Sequence, residues 1–187
     1  MKQTTFRYSD RKGTLGQEVV TKWLIEEYYC VEYSGHHDVS KIKKYQDIDV
    51  DLLLFLEQGT EEIEKLEEIK TECVTSKNLF YEWISDEKYN TLGCMRKTKS
   101  DDIYFYYPLI DNKLYQFDRR EFVKWAEPKI LKGDFGKPKR TQTTDERTGK
   151  TKTTVGYVIP RKELEEQDFC KVFTIDDNGV FDFLRKK

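Results

Sequence analysis

The sequence predicts a mixed α/β domain with a central β-sheet flanked by helices. Helical and strand-like hydrophobic patterns follow one another in the order helix, strand hairpin, strand, strand and helix. The chain of 187 residues has the length of one ordinary domain, which we assign to residues 1–187. Aromatic residues make up 14% of the chain, whereas disordered chains are poor in them.

The first predicted element is a helix over residues 14–29, in which Leu15, Val19 and Trp23 recur at helical spacing. Residues 34–38 form a polar cluster that we interpret as a turn. This cluster contains both histidines of the chain, so no pair of Cys and His residues at the spacing of a zinc site is present.

A strand is predicted over residues 47–56, where three aspartates alternate with other residues before a continuous apolar run. Because side chains alternate along a strand, Asp47, Asp49 and Asp51 are expected on one face. Aspartate is depleted in strands, so three of them at this spacing call for a reason. They can form the metal-binding part of a site, or simply the solvated face of an edge strand.

A second strand is predicted over residues 63–75, after a turn near Gly59. Counting back from this turn places Asp51 opposite residues 67–68. One face of the hairpin would therefore bring together Asp51, Glu68 and Lys70.

The rest of the chain continues the mixed pattern, with Asp118 as the N-cap of a second helix. The predicted elements are an apolar run at 79–85, strands at 102–107 and 114–117, a helix from 118 to about 126, a strand at 156–159 and a closing segment at 169–183. Residues 133–154 are rich in threonine and lysine around a glycine-containing turn, which indicates a protruding, exposed basic β-ribbon.

The formal net charge of −2 excludes a simple polybasic nucleic-acid binder. The charges are nevertheless segregated, because residues 57–72 carry a net charge of −5 and residues 129–162 a net charge of +7. No apolar stretch approaches the length of a membrane span, and the N-terminus has no apolar signal core. The four cysteines are widely spaced. We therefore expect a cytoplasmic protein with free thiols and no membrane partner.

Clustered carboxylates repel one another, and a hard divalent cation such as Mg²⁺ or Mn²⁺ relieves this repulsion. A metal at Asp51 and Glu68 would lower the pKa of a bound water and offset charge on phosphorus, while Lys70 would steady a phosphate or orient the attacking water. The set predicts metal-dependent hydrolysis of a phosphodiester bond.

The spacing from Asp51 to Glu68-Ile69-Lys70 resembles the PD-(D/E)XK nuclease superfamily, which includes restriction endonucleases and Holliday-junction resolvases. Further blocks at 46–51, 77–85, 92–94 and 101–107 resemble a poorly characterised bacterial and phage branch of it. The resemblance covers about residues 14–126. It implies a restriction-endonuclease-like core, in which a four-stranded or slightly larger mixed sheet is flanked by helices.

The resemblance also implies roles for single residues. Asp51 and Glu68 would bind one or two Mg²⁺ ions, Ile69 would contribute its backbone carbonyl, and Lys70 would be the motif lysine. Glu18 matches the acidic residue that many members carry on the first helix. No proline precedes Asp51, and a shift of two residues would make Asp49 the metal ligand instead.

Nucleic acid is expected to contact the basic ribbon and two smaller groups of polar residues. The predicted contact residues are Lys77, Asn78, Lys97, Lys99, Lys137, Lys139, Arg140, Arg147, Lys150 and Lys152.

The sequence thus predicts a Mg²⁺-dependent endo- or exodeoxyribonuclease, and RNA cleavage would use the same metal chemistry. Cutting both strands of a duplex calls for two active sites, as in a homodimer. The alternative is a non-catalytic DNA- or protein-binding accessory protein of a phage or mobile element on the same fold.

Overall fold

A computed structural model describes the backbone of residues 4–144 and 148–185. Arg147, one of the predicted nucleic-acid contacts, lies outside the described residues. The described strands are β1 (Thr4–Thr5), β2 (Tyr33–Asp38), β3 (Leu52–Gln58), β4 (Glu61–Thr71), β5 (Asn78–Asp86), β6 (Thr91–Leu92), β7 (Asp102–Tyr107), β8 (Lys113–Asp118), β9 (Lys139–Thr144), β10 (Thr151–Pro160) and β11 (Cys170–Thr174). The described helices are α1 (Phe6–Trp23), which continues as a π-helical turn at Leu24–Tyr28, α2 (Lys43–Gln46), α3 (Cys94–Lys97), α4 (Arg119–Lys132), α5 (Arg161–Glu165) and α6 (Asp182–Arg185).

The strands form two sheets rather than one central sheet. The larger sheet has six strands in the order β11-β8-β7-β4-β3-β2, and only its β4–β7 pair is parallel. The second sheet has the order β1-β9-β10-β5-β6, in which two-residue β1 runs parallel to β9 and the other four strands are antiparallel. The mixed α/β class is confirmed, and the expected mixed sheet of four or slightly more strands has six, but the second sheet was not expected.

The basic β-ribbon at 133–154 forms, but it does not protrude on its own. Strands β9 and β10 pair with each other, and β10 continues along β5 while β9 is bordered by β1. The outer parts of both strands are solvent-exposed. The ribbon is therefore an extension of the second sheet, because the threonine-rich β10 runs directly into the apolar residues that pair with β5.

The β3–β4 hairpin has the predicted register. Leu52 pairs with Glu67 and Gln58 pairs with Glu61, which puts Asp51 beside Glu68. The turn places Gly59 at a φ of 68°, in the left-handed region that glycine adopts without strain. The apolar alternation and the glycine turn together fix this register.

The prediction of three aspartates on one strand face is wrong. Asp47 follows α2, and Asp49 has a φ of 46°, so the chain turns at Asp49 before β3 begins. A residue distant in sequence stabilises this turn, since Lys99 N donates a hydrogen bond to Ile48 O at 3.0 Å. Only Asp51 lies at the entrance of the strand.

Three other local predictions need correction. The helix predicted at 14–29 begins earlier, at Phe6. Residues 34–38 belong to edge strand β2 instead of a turn, because they pair with apolar β3. The cap at Asp118 is confirmed, since its Oδ1 accepts a hydrogen bond from Glu121 N at 3.0 Å. Helix α4 nevertheless runs past its predicted end at about residue 126 and ends at Lys132.

The six-stranded sheet is covered on both faces. On one face, Val20 and Leu24 pack in a core with Leu52, Leu54 and Ile69. Gly16 of α1 lies so close to Thr71 that a Cβ atom would come within 1.8 Å of its Oγ1.

The opposite face of this sheet packs in a second core. Ile103 and Phe105 belong to it together with Tyr81 of the second sheet and Phe122 of α4. The two faces of β4 therefore look toward different layers, and this division decides which side chains can share a site.

Among the described residues, no helix is both long and apolar enough to cross a membrane.

Candidate active site

The strand hairpin positions Asp51 against the backbone of β4. Asp51 Oδ2 accepts a hydrogen bond from Ile69 N at 3.0 Å, and Asp51 N donates to Glu67 O at 2.9 Å. Backbone groups two residues apart in a strand point the same way, so the carbonyl of Ile69 also points toward the side on which Asp51 lies. The carboxylate of Asp51 and this carbonyl therefore face one place at the strand edge.

Glu68 and Lys70 form an ion pair on the face of β4 that looks toward the second sheet. The Glu68 side chain is only 2% exposed, whereas Lys70 keeps 35% of its side chain accessible. Glu68 Oε2 is buried and has no hydrogen-bond partner within the described part of the chain. An orphaned carboxylate oxygen in such a place is costly unless a further donor or cation joins it.

The electrostatics of this pair reflect its surroundings. Burial raises the pKa of Glu68 well above its usual range; the ammonium of Lys70 opposes this rise and the charge of Asp51 adds to it. Burial alone would lower the pKa of Lys70, but Glu68, followed by Cys94, Asp51 and Asp49, raises it well above its usual range. Asp49, Asp51, Glu68 and Lys70 thus form one electrostatic group, although Asp49 is not in the strand.

Asp49 itself is held by another part of the chain. Its Oδ1 accepts a hydrogen bond from Lys97 Nζ at 2.7 Å, and Lys97 Nζ also donates to Gln46 O at 2.9 Å. This ammonium already neutralises Asp49, whereas Asp51 has only the neutral Ile69 N–H as its described hydrogen-bond donor. The geometry therefore favours Asp51 over Asp49 as a metal ligand.

Two further acidic residues that were not predicted as site residues, Glu72 and Glu82, lie near this pair. Glu72 directly follows β4, one alternation beyond Lys70, and Lys70 and Glu82 both act on its charge. Glu82 Oε1, on β5 of the second sheet, accepts a hydrogen bond from Cys94 N at 3.1 Å. The alternation of Glu68, Lys70 and Glu72 was visible in the sequence, but nothing local signalled that β5 would bring Glu82 to this face.

Glu72 makes the stability of the protein depend on pH. Burial raises the pKa of Glu72 from 4.5 to about 7; Lys70 opposes this rise and Glu82 adds to it. A carboxyl group whose pKa is higher in the folded state costs stability as the pH rises from its unfolded pKa through its folded pKa. We expect Glu72→Gln to unfold with about 2 kcal/mol more free energy than the wild type at pH 8, and to differ little at pH 4.

Guanidinium unfolding at several pH values between 4 and 8 measures this difference. Glu57→Gln, an exposed glutamate in the same hairpin, is the matched control and should show no such pH dependence. A Glu72→Gln effect of equal size at every pH would contradict the assignment.

Glu18 lies apart from the Glu68–Lys70 pair. It is exposed on α1 and lines a cavity of about 410 Å³ together with Asp51, His36 and Asp38. Helix α1 packs on the Thr71 face of β4, and Glu68 and Lys70 point to the other face. Of the predicted metal ligands, Asp51, which directly precedes β3, therefore lines the same cavity as Glu18.

The predicted nucleic-acid contacts fall into two groups. Lys77, Lys99, Lys137, Lys139, Lys150 and Lys152 are exposed, and half-buried Asn78 begins β5. Two others have partners within the protein: Lys97 binds Asp49, and an Arg140 Nη atom lies 2.8 Å from Glu87 Oε1. The exposed lysines of the ribbon remain the best candidates for phosphate contacts.

The residues present fit a hard divalent cation. Asp51, the orphaned Glu68 Oε2 and the Ile69 carbonyl offer only oxygen atoms, which Mg²⁺ prefers, and a cation would offset the cost of the buried Glu68 charge. No group of three or more His, Cys, Asp or Glu side chains arranged for a metal occurs in the part of the chain that the structure describes. A set of two carboxylates and one backbone carbonyl is compatible with that finding, because Mg²⁺ commonly uses one or two carboxylates and completes its shell with water.

Comparison with known proteins gives no further assignment. No family model matches the chain, and no curated protein or solved structure matches it significantly. The geometry of the chain's own residues is the basis for any functional conclusion.

Proposed function

We propose that the chain is a Mg²⁺-dependent nuclease of the PD-(D/E)XK type that hydrolyses phosphodiester bonds in DNA. One observation carries the proposal: the β3–β4 hairpin sets Asp51 against Ile69, next to a buried Glu68 that is paired with a partly accessible Lys70. Carboxylates, a carbonyl and an ammonium at one strand end are the groups that phosphodiester hydrolysis needs.

Each residue of the site would have its own role in phosphodiester hydrolysis. Asp51, Glu68 Oε2 and the Ile69 carbonyl would hold the cation, and the Ile69 N–H would keep the Asp51 carboxylate oriented. When bound, Mg²⁺ supplies a more acidic water and offsets negative charge on the phosphate. The ammonium of Lys70, whose side chain is partly accessible, would donate a hydrogen bond to a non-bridging phosphate oxygen or to the attacking water.

The second sheet carries a basic surface that suits the substrate. The exposed ribbon lysines Lys139, Lys150 and Lys152 lie on the sheet that also carries Glu82. Phosphate contacts supply most of the affinity of a protein for nucleic acid, independently of sequence. We expect DNA to approach along this surface, and a homodimer would provide the second site for cutting a duplex.

Substitution of Asp51 tests the proposal. The wild type should nick or cut plasmid DNA with Mg²⁺ or Mn²⁺ and not with EDTA. Asp51→Asn should cut about 100-fold more slowly, because asparagine can still accept the Ile69 hydrogen bond but lacks the ligand charge. Asp47→Asn is the matched control, since Asp47 is exposed and its charge faces Lys43 instead. Absence of cleavage by the wild type on any form of DNA, or equal rates for both variants, would refute the proposal.

A non-catalytic DNA-binding role is the second candidate. The Glu68–Lys70 ion pair favours it, because Lys70 compensates the Glu68 charge without any metal. Under this alternative the protein binds DNA equally well with Mg²⁺ or EDTA and leaves it intact. The same plasmid assay, run together with a binding measurement, separates the two.

A further inference from the structure

A groove runs along the outer part of the second sheet, between the ribbon and the turn that follows β5. Its volume is about 810 Å³, and it is lined by Glu82 and Asp86 of β5, by Lys88 and Tyr89 after β5, and by residues of β9 and β10. The nuclease site described above does not account for Lys88 or Tyr89. These two residues raise the question of what the groove binds.

The ribbon side of the groove presents lysines and threonines. Lys150 and Lys152 are exposed there, and Lys152 pairs across the ladder with Thr143, which also lines the groove. Lys88, which follows β5, lines the same groove. Ammonium and hydroxyl groups of this kind are suited to the phosphate oxygens of a nucleic-acid backbone.

Tyr89 adds an aromatic platform to this cationic surface. It is 70% exposed, and Lys88 Nζ lies 5.1 Å from the centre of its ring. A ring held beside ammonium groups can stack on a base while the lysines contact the adjoining phosphates. The bases of a duplex already stack on one another, so Tyr89 can reach only unpaired bases.

Glu82 belongs both to the groove and to the surroundings of the candidate active site. Glu82 lines the groove, and its carboxylate also accepts the hydrogen bond from Cys94 N. Glu82 also acts on the charge of Glu72, which is two residues from Lys70. This shared residue is the structural link between the groove and the candidate site.

We propose that this groove binds single-stranded DNA, with Tyr89 stacking on a base and Lys88, Lys150 and Lys152 contacting phosphates. This inference rests on the proposed nuclease function. It specifies that the substrate is a single-stranded region of DNA, which the nuclease proposal leaves open. Acidic Glu82 and Asp86 line the same groove, so phosphates should follow the lysine walls and avoid the β5 side.

Binding measured in EDTA tests this inference without cleavage. The probe is a fluorescein-labelled 20-nucleotide oligothymidylate, compared by anisotropy with a labelled blunt 20-base-pair duplex. The wild type should bind the single strand at least about tenfold more tightly. Tyr89→Ala should weaken single-strand binding about tenfold, and Tyr89→Phe, which keeps the ring, should bind as the wild type does.

The lysines are tested by the salt dependence of the same binding. Lys150→Gln combined with Lys152→Gln should lower the slope of log K against log salt by about 1.4, because each single-strand phosphate contact contributes about 0.7. Lys124→Gln, which removes an exposed lysine of α4 that is paired with Glu121, is the matched control and should not change the slope.

Unchanged binding by Tyr89→Ala, or tighter binding of the duplex than of the single strand, would overturn the inference. Failure of the nuclease proposal has a different signature. In that case the wild type would bind the single strand in EDTA but would cut no DNA with Mg²⁺ or Mn²⁺. The two results are read from separate assays and can be told apart.

Discussion

Replacing Lys70 with alanine is expected to lower the rate of DNA cleavage roughly 1000-fold and to cost about 2 kcal/mol of stability at pH 8. The activity falls because the substrate loses its ammonium donor beside the metal ligands. The stability falls because Glu68, with a side chain only 2% exposed, is left without its partner. Removing one member of a buried ion pair is costly since the other charge stays buried and uncompensated.

The pH dependence of this variant identifies the cause. Without Lys70, the folded pKa of Glu68 lies still further above its unfolded value, so the variant is most destabilised at high pH and recovers as Glu68 takes up a proton. Unfolding in guanidinium at pH 5 and pH 8 measures the difference.

Glu68→Gln combined with Lys70→Ala is the control, because it removes the stranded charge. This double variant should regain stability while remaining inactive. Cleavage by Lys70→Ala at the wild-type rate would exclude Lys70 from the reaction.

Gly93→Ala is expected to lower the free energy of unfolding by about 3 kcal/mol. A Cβ atom at this position would lie 2.0 Å from the backbone oxygen of Glu82 and 2.9 Å from the carbonyl carbon of Trp83. Backbone atoms of β5 cannot rotate away as a side chain can, so α3 must separate from the strand. That separation would weaken the hydrogen bonds from Gly93 N to Trp83 O and from Cys94 N to Glu82 Oε1.

Gly13→Ala is the matched control for this prediction. Gly13 lies within α1, and a Cβ atom there meets no other atom within 4 Å. Alanine is the better helix former, so this variant should gain up to about 1 kcal/mol. Thermal unfolding followed by circular dichroism compares both variants with the wild type. A Gly93→Ala variant as stable as the wild type would show that α3 is not pressed against β5.

Local sequence was sufficient where one short segment decides the structure. The hairpin register followed from the apolar residues 52–56 and the turn at Gly59, because a slip by one residue would turn the apolar side chains to the wrong face. Strand β7 ends at Tyr107, immediately before Pro108, and α4 begins after the Asp118 cap. The placement of Asp51 beside Glu68 depends only on this hairpin.

Local sequence misled where a distant segment overrides it. The alternation of aspartates at 47–51 is typical of a strand, yet Asp49 adopts a left-handed turn. Lys97 Nζ and Thr98 Oγ1, almost fifty positions along the chain, bind its carboxylate and carbonyl. A positive φ at a residue other than glycine persists only when such contacts compensate it.

By itself, the sequence determined the α/β class and the β3–β4 hairpin, whose register puts Asp51 beside Glu68. Only the tertiary structure decided that β5 and α3 cover one face of β4 and bring Glu82 toward Glu72. Burial by these layers raises the pKa values of Glu68 and Glu72. The same alternation of glutamate and lysine on an open strand would be a solvated surface, because desolvation comes from what packs over a side chain and not from its neighbours in sequence.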